Sequence, residues 1–142
     1  MFNKICLLIV SVAISLIVGC GTSPTSANGI TPELKQDATS IVKVMDANMD
    51  KNHNLKGKDD QEYDSFLRKY DQLRKQAEDQ NYLDKNGSTK AEVSESVKLV
   101  QRIIKMRELL AGIEIDKGQG TVKSMYNDTS NEIKQILGMT TR

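Results

Sequence analysis

Apolar side chains along this chain recur at intervals of three and four, the spacing of one face of an α-helix, and no segment after residue 20 shows the period-two alternation of a half-buried strand. The first stripe opens at Thr31-Pro32-Glu33. A capping hydroxyl, a proline at the first helical position and an acid in the first turn all favour initiation there. Leu34, Ala38, Ile41, Val42, Met45 and Met49 follow at helical spacing and predict a helix over about 32–49. After the polar DKNHNLKGK, Asp59 and Glu62 stand at the offset of a capping box. Tyr63, Phe66, Tyr70, Leu73 and Ala77 then form a coiled-coil-like seam, while Asp64 with Arg68 and Asp71 with Lys75 pair at i, i+4 on the other face. The second helix is predicted over about 60–82.

Asp84-Lys85-Asn86-Gly87 is turn chemistry, and Thr89-Lys90-Ala91-Glu92 is a capping box that restarts a helix over about 90–111. This third helix carries two apolar rows, Val93, Val97, Val100, Ile104 and Ala111 in one direction and Leu99, Ile103, Met106 and Leu110 in another. Together they cover about half the circumference, so it must touch more than one neighbour. Gly112 and Lys117-Gly118-Gln119-Gly120 interrupt the pattern. Ile113-Glu114-Ile115 suits either one more helical turn or a short extended piece. The fourth helix, about 121–137, has Val122, Met125, Tyr126, Thr129, Ile133, Ile136 and Leu137 on its stripe and Gly138 at its end. Four amphipathic helices joined by short links predict an all-α, antiparallel four-helix bundle over residues 31–142. The alternative is a hairpin of the second and third helices that forms a homodimer through its seam.

Ahead of the helices, MFNK carries one positive charge at Lys4 and leads into an apolar run from Ile5 to Val18. That run falls short of the roughly 20 helical residues needed to span a bilayer core and fits a signal-peptide core instead. Ile17, Val18, Gly19 and Cys20 follow it and match, in order, the four positions of the lipobox, so this segment resembles the signal class of bacterial prolipoproteins. The resemblance covers only the first 20 residues. It implies cleavage of residues 1–19, a thioether-linked diacylglyceryl group on Cys20, and acylation of the new amino group by a chain such as palmitate. Two or more acyl chains hold a protein stably to a membrane, where one holds it marginally. Residues 20–30, GTSPTSANG after the cysteine, then read as a flexible linker of roughly 17 to 19 Å. The expected location is the extracytoplasmic face of a cell membrane. Gly21 is not the Asp that resembles an inner-membrane retention signal, so Gram-positive and Gram-negative envelopes both stay open.

Composition narrows the classes of partner. The whole chain has 20 basic and 19 acidic side chains, and losing Lys4 with the leader leaves 19 of each. A chain without net charge lacks the basic footprint of a nucleic-acid binder. Of the two cysteines, Cys6 leaves with the leader and Cys20 carries lipid, so the domain has no disulfide and no thiol for catalysis or zinc.

The candidate chemistry is sparse. Asp46, Asn48, Asp50 and Asn52 place oxygen ligands at every second position and resemble the first half of an EF-hand calcium loop. Lys51 stands where that loop needs glycine, and Gly57 where it needs a bidentate glutamate. A similar pattern at Asp84, Asn86, Ser88 and Glu95 has Thr89 in place of the glycine. Both segments read more simply as a polar helix end with its loop and as a turn with a cap. His53 is the only histidine, so a Ser-His-Asp triad could be built on that one imidazole alone and a multi-histidine metal site not at all. Glu108 and Glu114, beside apolar neighbours, are the remaining carboxylates of catalytic interest. Tyr63, Tyr70 and Tyr126 lie on apolar stripes, where a core-edge position with the hydroxyl in water is the expectation. Met45, Met106 and Met125 fit core positions, and Tyr82 lies off its seam as a candidate partner contact. The expected protein is therefore a non-enzymatic, lipid-anchored interaction or envelope-structural module without a cofactor. A calcium- or small-ligand-binding lipoprotein is the alternative.

Overall fold

The computed structural model describes residues 29–79, 94–116 and 120–140. The leader, Cys20, the linker to residue 28, Tyr82, the Asp84-Gly87 turn and the Thr89-Glu92 box lie outside the described residues. Within them the chain is all-helical: α1 (Pro32–Asp50), α2 (Lys58–Lys69), α3 (Asp71–Glu78), α4 (Glu95–Gly112) and α5 (Thr121–Leu137). No described helix is long and apolar enough to cross a membrane.

Local chemistry sets most of the helix ends. The Thr31 hydroxyl accepts the Leu34 N–H at 3.1 Å, and Pro32 occupies the first turn, as the sequence predicts for α1. At the other end Asn52 takes the left-handed conformation, with φ of 55°. The His53 N–H reaches back to the Asn48 carbonyl and the Asn52 N–H to the Met49 carbonyl. This is a Schellman stop, with asparagine supplying the left-handed residue more often supplied by glycine. Gly138 ends α5 in the same way, the Met139 N–H bonding the Lys134 carbonyl at 2.8 Å. Ser94 caps α4 through the Val97 N–H.

The core runs along α4, which packs against α1, α3 and α5. Val97, Leu99, Val100, Ile103, Met106 and Leu110 are all fully buried, so the two apolar rows do serve more than one neighbour. Leu34, Val42, Met45 and Met49 of α1 and Ile133 and Leu137 of α5 close over them. Each such burial contributes roughly 1.5–3 kcal/mol. Ile30 is also buried, and the Gly29 carbonyl accepts the Ser96 hydroxyl at 2.6 Å, so the chain is fixed before α1 begins. At the opposite end Arg107 ties three elements together, donating to Asn54 Oδ1 at 2.6 Å and Asp60 Oδ1 at 2.9 Å while lying over the Tyr63 ring.

Three expectations need correction, and one that the sequence left open is resolved. The segment predicted as one helix over about 60–82 breaks at Tyr70, which has φ of −109° and ψ of 37° and separates α2 from α3. There the Tyr70 hydroxyl donates to Asp37 at 2.7 Å, and Lys69 bridges Asp37 and Glu33 at 2.6 and 2.7 Å. A tertiary tie to α1 outweighs the continuing apolar period. Secondly, Asp59 is not the cap: α2 starts at Lys58 after Gly57, and the Asp59 carboxylate accepts from Asn48 instead. Met125, expected in the core, is 47% exposed, because α5 turns Ser130 and Lys134 inward. Ile113-Glu114-Ile115 forms a tight turn held by N–H bonds back to Leu110 and Gly112, and Ile115 stands in solvent.

Candidate functional site

Among the described residues, the most enclosed ion pair lies on the seam between α1 and α5. Tyr126, Ser130 and Lys134 recur every fourth residue on α5, which aligns them on one helix face. That face meets Asp46 of α1. Asp46 Oδ2 pairs with Lys134 Nζ at 2.7 Å, while Oδ1 accepts the Ser130 hydroxyl at 3.0 Å and the Tyr126 hydroxyl at 3.1 Å. The Lys134 side chain is only 8% exposed and that of Asp46 only 17%. A charge this far from water persists only when paired and hydrogen-bonded, and one carboxylate here satisfies three donors from the neighbouring helix. Burial, together with the Asp46 charge and hydrogen bond, pushes the Tyr126 phenol up from its ordinary value. No buried side-chain nitrogen or oxygen among the described residues lacks a hydrogen-bond partner.

Beside this network is a cavity of about 260 Å³. Asp46, Tyr126, Ser130 and Lys134 form one side, and Met49, Asp50, Lys123, Asn127 and Asn131 the rest. Ser130 and Lys134 are the residue types of a serine–lysine hydrolytic pair. The serine hydroxyl, however, donates to a carboxylate, so the nucleophile-to-base contact of such a pair is not formed. The geometry suits a fixed polar wall.

The four residues of the calcium alternative are not brought together as one set. Asp46, Asn48 and Asp50 lie within α1, where positions two apart point about 200° away from each other. Asp46 therefore faces α5, while Asn48 donates to the Val44 carbonyl and to Asp59 Oδ2 at 2.8 Å. Asn52 is the left-handed stop of the helix, and its side-chain oxygen meets Lys123 at 3.4 Å. Asp50 shares the cavity wall with Asp46. No group of three or more His, Cys, Asp or Glu that could hold a metal ion occurs among the described residues.

Other sequence candidates sit apart from the seam. His53 is exposed in the loop after α1, and Glu108 is exposed on α4. Glu114 pairs with Lys56 at 2.9 Å and accepts the Asn54 N–H, and these bonds hold its carboxyl below the usual range. Tyr82 and, of the calcium-like pattern that opens at Asp84, all but Glu95 lie outside the described residues. Of the tyrosines expected at the core edge, Tyr126 is 1% exposed and directs its hydroxyl to Asp46. Ser130 and Lys134 were not anticipated from the sequence. Their signal was present as a polar row at four-residue spacing continuing from Tyr126, next to an apolar stripe wide enough to rotate.

Two wider grooves lie elsewhere on the described surface. One, about 480 Å³, lies between α1 and α2 and is lined by residues including Asp37, Ser40, Phe66 and Lys69. The other, about 710 Å³, lies where α3, α4 and α5 meet, around Ala77, Ile104 and Thr129. Both are flanked by exposed ion pairs. No protein-family model matches the chain, and neither a curated protein nor a solved structure matches it.

Proposed function

We propose that this protein is a non-enzymatic bacterial lipoprotein, anchored by lipid on Cys20 to the extracytoplasmic face of a membrane, whose helical domain is a protein-interaction or envelope-structural module. The observation that carries the reading is the run from Ile5 to Val18 ending in Ile17-Val18-Gly19-Cys20. In this reading residues 21–28 are the tether between Cys20 and Gly29. The domain is then held close to the headgroups by the end that bears Gly29 and Ile30.

Within this reading the domain is an antiparallel four-helix bundle whose second helix is bent at Tyr70. Asp37 with Lys69 and Asn48 with Asp59 tie α1 to α2 head to tail. Arg102 with Glu132, and Gly112 against Val122, do the same for α4 and α5. The exposed surface carries paired charges of both signs, which suits contact with a protein partner better than with a polyanion.

Metabolic labelling of cells with a clickable palmitate analogue, followed by membrane fractionation, tests the anchor. The wild-type protein should carry label and sediment with membranes, and Cys20→Ala should carry none and leave the membrane fraction. Equal membrane association of an unlabelled Cys20→Ala protein would overturn the reading. Crosslinking on intact cells, with Cys20→Ala as control, then identifies the partner that anchoring brings within reach.

A further inference from the structure

We infer that the cavity beside the Asp46–Lys134 pair is a binding site for one neutral, hydroxyl-rich small molecule, the size of a single sugar ring. The inference rests on the α1/α5 geometry and is independent of the anchor. At about 260 Å³ the cavity is slightly smaller than the roughly 300 Å³ at which pockets for drug-sized ligands begin. That volume suits one small ring and its hydroxyls and not a larger ligand.

The lining is polar and formally balanced. Among the described lining residues two carboxylates, Asp46 and Asp50, stand with two ammonium groups, Lys123 and Lys134, so the wall carries no excess of either sign. Asp46 and Lys134 also neutralise each other directly at 2.7 Å. The side-chain amides of the exposed Asn127 and the half-buried Asn131 line the same space. Each amide offers two donors and an acceptor. A hydroxyl is donor and acceptor at once, so neighbouring hydroxyls on a ring can give to a carboxylate or amide oxygen while accepting from an amide or ammonium N–H. Ligand pockets are ordinarily mostly apolar. This one has Met49 as its single wholly apolar side chain, which leaves little surface for a hydrophobic ligand. The wall is also set in advance, since three donors already fix Asp46 and burial fixes Lys134.

The test is a ¹⁵N–¹H titration of the full chain in a detergent without a sugar headgroup. The probes are glucose and N-acetylglucosamine, their charged counterparts glucosamine and glucuronate, and N,N′-diacetylchitobiose to separate a free sugar from the end of a glycan. Saturable shifts are expected at Lys123, Asn127 and Asn131 with either neutral sugar, with Kd on the order of 1 mM. Binding of the disaccharide as tightly as the monosaccharide identifies a glycan end, and weaker binding identifies a free sugar. Asn127→Ala with Asn131→Ala, both outside the core, should raise Kd at least about tenfold and leave the thermal melt in place. The inference is overturned by any of three results: no saturable shift at these residues up to about 100 mM neutral sugar, an unchanged Kd in the double variant, or about tenfold tighter binding of either charged sugar.

Discussion

Replacing Asp46 with alanine removes the carboxylate that pairs with Lys134 and the acceptor shared by Tyr126 and Ser130. Lys134 is left with its side chain 8% exposed and a full charge. Breaking a buried pair from one side costs about 3–5 kcal/mol. Because the Asp46 side chain keeps 17% exposure, some water reaches the gap, which puts the expected loss near the lower end, about 3 kcal/mol. That is a large share of the 5–15 kcal/mol that holds an ordinary domain. In urea, with a slope of about 1–2 kcal/mol per molar, the midpoint should fall by roughly 1.5–3 M. Circular dichroism of the helices reads this directly. Asp46→Leu combined with Lys134→Met removes both charges and should cost less than Asp46→Ala alone. An exposed control, Lys56→Ala opposite Glu114, should leave the midpoint near wild type. A midpoint for Asp46→Ala close to that control, or strictly additive losses in the double variant, would refute the claim that this pair is a buried lock.

Gly57 holds φ of 59° and ψ of −121°, a conformation open to glycine alone, so Gly57→Ala should destabilise by about 1–3 kcal/mol in the same urea assay. Gly112→Ala is the opposite case: its new methyl would meet Val122 at an ordinary 3.8 Å, and the α4 terminus should gain up to about 1 kcal/mol. Burial pushes the Tyr63 phenol up to about 12 despite the opposing Arg107, and Tyr70 and Tyr126 are also raised, mainly by burial. Their neutral forms contribute stability in full below about pH 10, and that contribution is lost as pH climbs through the folded values. An absorbance titration should accordingly show three of the four tyrosines protonated near pH 10.5 while helicity persists. Their ionisation at the free-tyrosine pH in a folded chain would contradict the burial. Millimolar calcium should leave the thermal midpoint unchanged, since Asn48 points away from Asp46 and Asp50 around α1, and Asp46 is already held by Lys134, Ser130 and Tyr126. A calcium-dependent rise abolished by Asp50→Ala would show otherwise.

Much of the helical framework was legible because it is written in local chemistry. Thr31-Pro32 and Gly138 are cap residues whose effect does not depend on the rest of the fold, and α1 and α5 end within a residue of their predicted limits. The break at Tyr70 was not legible. No proline or glycine marks it, and the apolar period runs through it. Its cause is the reach of Tyr70 and Lys69 to Asp37, thirty-three and thirty-two positions away in sequence. The seam between α1 and α5 was half legible. Asp46 drew attention through its spacing with Asp50, which suggested a loop around an ion, whereas Asn52 at the end of that pattern is a helix stop. Lys134 could not be assigned inward from sequence, because a lysine on a stripe edge normally extends its ammonium into water. Only a carboxylate on the facing helix makes burial tolerable, and which helix faces which is set by packing.

The tie between the Gly29 carbonyl and Ser96, with Ile30 buried beneath it, has a mechanical consequence. Any pull on the chain upstream of Gly29 enters the fold at that point and reaches α4 before it reaches α1. The load is then shared between two helices that both begin at this end. Gly138, where α5 stops, lies beside Lys35 near the start of α1, so α1 begins and α5 ends at the same end of the domain. A pull applied between those two points therefore opens the seam from that end and releases Leu34, Ala38, Val42, Met45 and Met49 in turn. Stretching should begin with a small step as Ile30 and Gly29 detach, followed by a low-force peeling of α1.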